Sequence, residues 1–310
     1  MEKQGKVWLV GAGPSDAGLM TLKGKAVLEQ ADVVVYDALV SASVLAMIPE
    51  QAQTVYVGKR SGHHSVPQPQ INQILLEQAQ QGKRVVRLKG GDPFLFGRGG
   101  EELELLREHN IPFEVVPGIT SAIAVPAYNG IPVTHRDYCS SVHIITAHSK
   151  QDGELNIPFP ALCQVHGTLV FLMGVTSMER ICRGLLQAGM DAQTPAAILQ
   201  EGTSAAQRRV VATLSTLVER AQQEKIQAPA VLVIGKVCQL ADQLSWTQLR
   251  PLDKVRVILT RPKELVSRMA DRLYQLGAQV IELPSISLQP YEENEPLKTA
   301  LEHLESYRWV

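Results

Sequence analysis

Three loops in the sequence combine glycine with hydrogen-bonding side chains, and each follows a predicted strand. They are residues 11–16 (GAGPSD), 90–93 (GGDP) and 117–121 (PGITS). Glycine lets a ligand approach the backbone closely, and Asp, Ser and Thr side chains offer donors and acceptors. In a parallel sheet, ligands bind beyond the carboxyl ends of the strands. We therefore expect the three loops to converge on one binding site.

The first of these loops nearly matches a dinucleotide-binding fingerprint, and Asp37 ends the next strand as that fingerprint requires. The match fails in detail, because Asp16 occupies the third glycine position and would repel a pyrophosphate at a helix N-terminus. Pro14 also removes a backbone N–H that a phosphate would use. A ligand with an uncharged or cationic centre fits better, and a plain turn without ligand remains an alternative.

The elements that must position these loops form an α/β pattern. Short apolar runs at 7–11, 33–36, 54–57, 85–89 and 113–116 alternate with helical stretches and predict a parallel sheet. After residue 136 the pattern changes, and runs at 196–200 and 208–214 predict an antiparallel hairpin within a mixed sheet. Two lobes result.

A helix between Ser177 and Ala188 has clear boundary signals. Thr176 and Glu179 predict a capping box at its start, and Gly189 predicts its end. A third unit begins near residue 253 and contains one βαβ pattern followed by the start of another helix.

The composition excludes several classes of protein. The chain has 310 residues, 45% hydrophobic and 20% charged, which is typical of a globular protein. A net charge of −1 argues against a protein that binds nucleic acid through bulk charge. Four scattered cysteines without a C-x-x-C motif indicate no zinc site and no disulfide framework. With no export signal and no apolar run of about 18 residues, we predict a cytoplasmic protein without a membrane partner.

Six blocks of the sequence together resemble the tetrapyrrole methylases. They are VGAGP at 10–14, VYD at 35–37, VGKR at 57–60, RLKGGDPFLFGR at 87–98, VPGITS at 116–121 and GIPVTHR at 130–136. The resemblance covers about residues 5–246, and it departs from the family pattern at Ser15 and Ala17.

This resemblance implies a two-lobed methyltransferase with a parallel-sheet first lobe (about 5–133) and a mixed-sheet second lobe (about 137–246). It also implies that S-adenosylmethionine binds between the lobes. The residues that match the family's cofactor contacts by position are Pro14, Gly90, Gly91, Asp92, Leu95, Thr120, Ser121, Met173 and Gly202. Judged on their own, Met173 is as well explained as a core residue and Gly202 as a turn glycine.

The resemblance is strongest to members that methylate uroporphyrinogen III twice, giving precorrin-2 for siroheme and cobalamin synthesis. An electron-rich pyrrole carbon can attack the sulfonium methyl, and a base must then remove a proton from the methylated ring. Asp37 matches the family's proposed proton acceptor and Lys59 its proposed donor. Without the family, Asp37 is equally a helix cap and Lys59 a solvated loop charge.

The carboxylate arms of such a substrate require a basic cleft. The candidates are Arg60, Arg87, Lys89, Arg98 and Arg136. Arg87 and Lys89 alternate along one strand, which predicts one positive face there. The family resemblance also implies a homodimer.

From residue 255 the chain resembles the beginning of uroporphyrinogen-III synthase, in LTRP at 259–262 and LGAQVIELP at 276–284. We therefore divide the chain into a methyltransferase (1–250) and a partial synthase-like, incomplete βαβ unit (253–310) without synthase activity. Three functional alternatives remain. The first is a methyltransferase of the same superfamily that acts on another precorrin, or on a protein or RNA acceptor. The second is an NAD-dependent oxidoreductase, and the third is a non-catalytic binding protein.

Overall fold

The computed structural model of the chain describes residues 5–58, 66–147, 155–287 and 294–308. Within these ranges the strands form three sheets, of five, five and two strands.

The first sheet is parallel throughout, as the sequence predicts. Its strands are β1 (Lys6–Gly11), β2 (Val33–Tyr36), β3 (Gln53–Tyr56), β4 (Arg84–Lys89) and β5 (Phe113–Val116). They lie in the order β3-β2-β4-β1-β5. Chain connections leave β1 and its neighbour β4 in opposite directions across the sheet, which makes their carboxyl ends a topological switch point.

Helices cover both faces of this sheet, which explains why its strands are nearly continuous apolar runs. They are α1 (Leu22–Leu28), α2 (Ala42–Leu45), α3 (Gln68–Gln80) and α4 (Gly99–Glu108). Leu75 of α3 and Leu106 of α4 are fully buried in the core on one face. Leu28 of α1 and Val44 of α2 are fully buried in the core on the other.

The second sheet is mixed, again as predicted. Its strands are β6 (Val142–Thr146), β7 (Thr168–Leu172), β8 (Pro195–Gln200), β9 (Arg208–Thr213) and β10 (Ala230–Ile234). They lie in the order β6-β7-β10-β8-β9, with only the β6–β7 pair parallel. The predicted β8–β9 hairpin is confirmed. The helices α6 (Phe159–Gln164), α7 (Met178–Gln187) and α8 (Leu217–Gln223) pack on one face of this sheet.

Helix α5 (Ser121–Tyr128) joins the two lobes. It begins at the carboxyl edge of the first sheet, directly after the 117–120 segment. Its side chains Ala122 and Val125 are buried in the core of the second sheet, against Val170 and Val233. The helix therefore fixes the second lobe relative to the loops of the first.

The predicted capping box at α7 is wrong. The N-cap residue is Ser177, and no side chain caps the helix there, since the Ser177 hydroxyl donates to the Ala147 carbonyl at 3.3 Å. The predicted end is confirmed: Gly189 has a φ of +95°, and its N–H donates to the Leu186 carbonyl at 3.0 Å. The Ser177 hydroxyl thus bonds to the residue that follows β6 and not to an N–H of its own helix.

The C-terminal unit contains the parallel pair β11 (Arg256–Leu259) and β12 (Gln279–Glu282), connected by α9 (Lys263–Gln275) and followed by α10 (Glu295–Glu302). Among the described residues its core cluster is small and contains the buried Leu259 and Ala270, against which Val257, Leu273 and Val280 pack. A search of the described residues finds no helix with the length and apolarity needed to cross a bilayer.

Candidate active site

The loops after β1 and β4 are joined backbone to backbone at the switch point. The Gly13 N–H donates to the Gly91 carbonyl at 3.2 Å, and the Gly91 N–H donates to the Gly13 carbonyl at 2.7 Å. Both residues have positive φ, +73° and +68°, a region that favours glycine. The glycine pattern of the two loops thus has a direct structural reason.

The third loop packs against this pair so closely that only glycine fits at Gly118. A Cβ there would lie 2.3 Å from the Gly91 carbonyl oxygen and 2.6 Å from the Cα of Gly11. The Gly118 N–H donates to Oδ2 of Asp92 at 3.0 Å. The loops after β1, β4 and β5 therefore form one rigid arrangement at the carboxyl edge, which we name the glycine cradle (residues 11–16, 90–95 and 117–121).

Asp92 stabilises the cradle with both carboxylate oxygens. Its Oδ1 accepts from the backbone N–H groups of Phe94 at 2.8 Å and Leu95 at 3.1 Å, while its Oδ2 binds Gly118. Each carboxylate oxygen has two lone pairs, so Oδ2 keeps capacity for one more donor. Asp92 therefore can hold a ligand hydroxyl or amine while it organises the loop.

The N-terminus of α5 completes the cradle. The Thr120 hydroxyl caps the helix by accepting from the Ala122 N–H at 3.2 Å, and Ser121 is the first helical residue. Both residues are half-buried. The partial positive charge at a helix N-terminus favours a negatively charged ligand group such as a carboxylate.

The second lobe contributes the two residues predicted there. Met173 follows β7 with a φ of +57° and is 48% exposed, which rejects the core explanation for this methionine. Gly202 follows β8 and lies buried against Val125 of α5. Next to it, Thr203 has a φ of +69° and accepts from the Asp16 backbone N–H at 3.2 Å, so the second lobe is bonded to the cradle.

Asp37 lies at the same edge of the first sheet, directly after β2. Its Oδ1 accepts from the Leu39 N–H at 3.1 Å, and its Oδ2 accepts from Nη2 of Arg87 at 3.1 Å. A quarter of the side chain is exposed. The explanation of Asp37 as a helix cap is wrong, because Ser41 is the N-cap of α2. Asp37 instead closes a turn through Leu39 while part of its side chain stays exposed.

Arg87 and Lys89 do lie on one face of β4, but their charge is not free. Arg87 is 3% and Lys89 5% exposed, and both bond to Oε1 of Glu102, from Nε of Arg87 at 3.2 Å and from Nζ of Lys89 at 2.9 Å. Burial, together with the nearby Arg87 charge, lowers the pKa of Lys89. The positive face predicted from the alternation is therefore neutralised by carboxylates, and substrate binding by these two residues stays a prediction.

The remaining basic candidates are placed differently. Arg98 caps α4 with a φ of +57° and is exposed, bonded to Glu101 through Nη2 and Oε2 at 2.6 Å. Arg136 is exposed in the segment between α5 and β6. Lys59 and Arg60 lie outside the described residues. In the described ranges no group of three or more His, Cys, Asp or Glu side chains could hold a metal ion.

Residues 6–218 match the family model Tetrapyrrole (Corrin/Porphyrin) Methylases. The chain belongs to this family. The match extends from β1 to α8 and so contains the cradle, Asp37, Met173 and Gly202.

Curated relatives and solved structures agree with this assignment. The methylase is 52% identical over 308 residues to the porphyrin biosynthesis protein HemD of Ruminiclostridium josui, an alignment that covers 99% of this chain and 61% of that protein. It is 54% identical over 246 residues to siroheme synthase 2 of Yersinia enterocolitica, covering 79% of this chain and 51% of the relative. The chain therefore spans between half and about three fifths of the length of these relatives.

Among solved structures, the methylase resembles uroporphyrin-III C-methyl transferase from Thermus thermophilus, crystallised with S-adenyl homocysteine. The TM-score is 0.65 at 39% identity, over 76% of this chain and 99% of that one. It also resembles the cobalt precorrin-4 methyltransferase CbiF, with a TM-score of 0.68 at 27% identity over 75% of this chain and 95% of that one.

Two features of the methylase site are not evident from the sequence. Asp16, interpreted above only as an obstacle to pyrophosphate, accepts hydrogen bonds from the hydroxyls of Tyr128 at 2.7 Å and Tyr274 at 3.0 Å. Glu102, which neutralises Arg87 and Lys89, is a glutamate in an otherwise ordinary amphipathic helix. The sequence signal for Glu102 was indirect: two basic residues on a buried strand require a buried acid.

Proposed function

We propose that the chain is an S-adenosylmethionine-dependent methyltransferase that methylates uroporphyrinogen III twice in succession and yields precorrin-2, for siroheme and cobalamin synthesis. Membership of the methylase family supports methyl transfer to a tetrapyrrole. The siroheme synthase relative and the Thermus enzyme support this substrate. The observation that carries the proposal is the glycine cradle, formed at the sheet edge where Asp37 also lies.

The cradle fits the cofactor chemically. The space beside Gly91 is open, since a Cβ there would meet only the backbone of Thr120 and Ser121, at 4.0 Å. The carboxylates of Asp37 and Asp92 at this edge suit a cationic sulfonium. The helix N-terminus at Ser121 suits a carboxylate. The residues that would hold the cofactor are Pro14, Gly90, Gly91, Asp92, Leu95, Thr120, Ser121, Met173 and Gly202.

Bound S-adenosylmethionine supplies an electrophilic methyl group, to which the pyrrole carbon forms a bond while the electrons of the S–CH₃ bond pass to sulfur. The chain's part is first to hold the macrocycle in line with that methyl group. The methylated ring is then cationic and must lose a proton, which Asp37 accepts because it is the partly exposed carboxylate after β2. Lys59 is proposed as the proton donor.

The carboxylate arms of the substrate are assigned first to Arg60, Arg98 and Arg136. Arg98 and Arg136 are exposed, and an arginine fork binds a carboxylate with two parallel hydrogen bonds. The fork of Arg98 is bonded to Glu101, so in this proposal Arg98 exchanges that exposed partner for a substrate arm. Direct contact by Arg87 or Lys89 would require their buried ion pairs to open. These two residues therefore act on the substrate, in this proposal, only if the cluster rearranges.

The decisive experiment is mass spectrometry of the product formed from uroporphyrinogen III and S-adenosylmethionine with an isotope-labelled methyl group. We expect a product carrying two labelled methyl groups and a singly methylated intermediate at early times. No labelled product from this substrate, combined with labelling of a later precorrin, would assign the chain to another step of the family.

Calorimetry separates the methyltransferase from an oxidoreductase. We expect S-adenosylhomocysteine to bind and NAD not to bind, because Asp16 and Pro14 make the first loop unsuitable for a pyrophosphate. Binding of NAD without binding of S-adenosylhomocysteine would overturn the proposal.

We further propose that residues 1–250 form the methyltransferase and that residues 253–310 form a synthase-like unit. The alignment with the Ruminiclostridium protein, which includes the C-terminal unit, supports the origin of this unit in a fused porphyrin-biosynthesis protein. Family resemblance supports a cytoplasmic homodimer, and light scattering of the purified chain measures the mass of the assembly.

A further inference from the structure

Glu102 is a fully buried carboxylate that no part of the proposed chemistry uses. It lies in the first turns of α4, and its side chain is 0% exposed. Three donors converge on its Oε1: Nε of Arg87 at 3.2 Å, Nζ of Lys89 at 2.9 Å and Nε2 of Gln68 at 3.1 Å. A buried carboxylate lowers the free energy of unfolding unless it is paired and hydrogen-bonded. The three donors provide this pairing for Glu102.

The charges around Glu102 balance only if Asp37 is included. The cluster contains two cations, Arg87 and Lys89, and two carboxylates, Glu102 and Asp37, which lie within 3.2 Å of at least one cation. Glu102 raises the pKa of Lys89, against the larger lowering by burial and by Arg87. Without Glu102, two buried cations would share one partly exposed carboxylate.

Arg87 connects Glu102 to Asp37, because its guanidinium donates hydrogen bonds to both carboxylates. Its Nε donates to Glu102, its Nη1 donates to the Leu88 carbonyl at 3.0 Å, and its Nη2 donates to Oδ2 of Asp37 at 3.1 Å. Because a guanidinium is planar and rigid, three bonds in different directions fix its orientation. Arg87 is 3% exposed and Asp37 25%, so the chain of contacts begins in the core and ends at the cleft.

We propose that Glu102 is a positioning residue for methyl transfer, which holds the carboxylate of Asp37 through Arg87. This inference rests on the proposed function, in which Asp37 accepts the proton from the methylated ring. A base that is already oriented toward the cleft does not have to be reoriented during proton transfer, and a buried second contact provides that orientation. Glu102 itself touches no reacting atom.

A double-mutant cycle tests this role. The variants are Glu102→Gln, Asp37→Asn and the two combined, with Glu104→Gln as the matched control on the exposed face of the same helix. For each, kcat and KM come from product formation, the Kd of S-adenosylhomocysteine comes from calorimetry, and the melting temperature reports folding.

We expect Glu102→Gln to lower kcat about tenfold, the middle of the range for residues coupled in one ion-pair network. The Kd of S-adenosylhomocysteine should stay unchanged, because the cradle does not contact Glu102. In the Asp37→Asn background the same substitution should lower kcat no further. Glu104→Gln should behave like the wild type.

Equal falls of kcat in both backgrounds, or an unchanged kcat in the single variant, would overturn the role of Glu102. Wild-type turnover by Asp37→Asn would instead overturn the proposed proton acceptor, so the two failures are distinguishable. If Glu102→Gln does not fold, Glu102→Asp keeps the charge balance and withdraws the carboxylate from Arg87 by one methylene. It should fold, lower kcat and show the same dependence on Asp37; a wild-type kcat would contradict the proposal.

Discussion

Individual side chains at this site serve the protein and the ligand together. Asp92 was predicted as a ligand contact, yet its carboxylate accepts from three backbone N–H groups, those of Phe94, Leu95 and Gly118. Asp37 likewise bonds to Leu39 and Arg87 while a quarter of it stays exposed. Substitution of either residue therefore changes both the local structure and the chemistry. Separate measurements of stability, cofactor affinity and turnover distinguish these effects.

For Asp92→Ala we expect weaker cofactor binding and a lower unfolding free energy, each by about 1–3 kcal/mol, because three backbone N–H groups, two of them partly buried, lose their acceptor. Calorimetry with S-adenosylhomocysteine and urea unfolding measure the two effects. Asp191→Ala is the matched control, since the Asp191 carboxylate also accepts from a backbone N–H two residues on, that of Gln193 at 2.8 Å, but in an exposed turn. A loss of affinity equal in both variants would contradict a role for Asp92 in the cradle.

Asp37→Asn should mainly lower turnover, whereas Asp92→Ala should mainly weaken cofactor binding. We expect turnover to fall by a factor of about 10² to 10⁴, the usual contribution of a general base, with cofactor affinity nearly unchanged. The amide keeps the shape of the side chain, and its single oxygen can keep one of the two hydrogen bonds, from Leu39 or from Arg87, so the fold should remain. Single-turnover rates and calorimetry on the same preparation measure both quantities. Equal losses of binding and turnover would mean that Asp37 and Asp92 have been assigned the wrong roles.

How far the sequence predicts such residues depends on how local their cause is. Gly91 and Gly118 are recognisable because a loop directly after a strand needs glycine wherever backbones meet. Glu102 is not, because its partners Arg87 and Lys89 precede it by 15 and 13 residues, and the packing of α4 against β4 brings them together. Thr203 could not be predicted as a site residue for a different reason, because its positive φ is unusual for a β-branched residue.

At the scale of elements, the five strands of the first sheet and the β8–β9 hairpin of the second were predicted from short runs rich in apolar residues. The N-termini of helices were harder to predict. The pattern at Thr176 and Glu179 matches a capping box, but the Ser177 hydroxyl bonds to Ala147 of the adjacent segment instead. Local patterns fail where a hydroxyl that could accept from a helix N–H donates to a tertiary partner instead.

The packing of three loops predicts that Gly118→Ala damages the site through the backbone alone. A Cβ only 2.3 Å from the Gly91 carbonyl oxygen must push the loops after β4 and β5 apart. We expect a stability loss of about 1–3 kcal/mol, as for other overpacked positions, and a clear fall in cofactor affinity.

Gly100→Ala provides the control for this substitution, because a Cβ at Gly100 meets no atom within 4 Å. It lies in α4, where alanine is the better helix former, so its stability should not fall. Urea unfolding and calorimetry apply to both variants. Unchanged cofactor affinity in Gly118→Ala would show that the close approach of the loops is not needed for binding.

At the scale of the whole molecule, Asp16 joins all three units. Its backbone N–H donates to Thr203 in the second lobe, and its carboxylate accepts from Tyr128 in α5 and from Tyr274 in the C-terminal unit. The backbone N–H of Ala205 also donates to Oε1 of Gln279 in β12, at 3.2 Å. The C-terminal unit therefore contacts the first two lobes directly beside the cradle. Sequence patterns could not predict this, because the contact joins residues 258 positions apart.

The hydrogen bond from the Tyr274 hydroxyl makes the stability of this contact fall at alkaline pH. Burial, followed by the nearby Asp16 charge, raises the pKa of Tyr274 from 10.0 to about 12. In the unfolded chain the phenol ionises near its ordinary pKa of about 10. The folded state therefore binds the proton more tightly, and the contribution of this hydrogen bond is fully present below pH 10 and is lost as the pH rises through 12.

Comparison of the wild type with Tyr274→Phe isolates this contribution from that of other tyrosines. The difference in urea midpoint between the two proteins should be constant from pH 8 to pH 9 and should shrink at pH 11. At pH 11 the ionisation of Tyr274 stabilises the unfolded state of the wild type and so lowers its free energy of unfolding. Tyr307→Phe, at an exposed tyrosine of the same unit, serves as the control. A difference that stays the same at pH 8 and pH 11 would show that Asp16 does not hold the phenol in solution, and that the C-terminal unit is joined to the cradle by its other contacts alone.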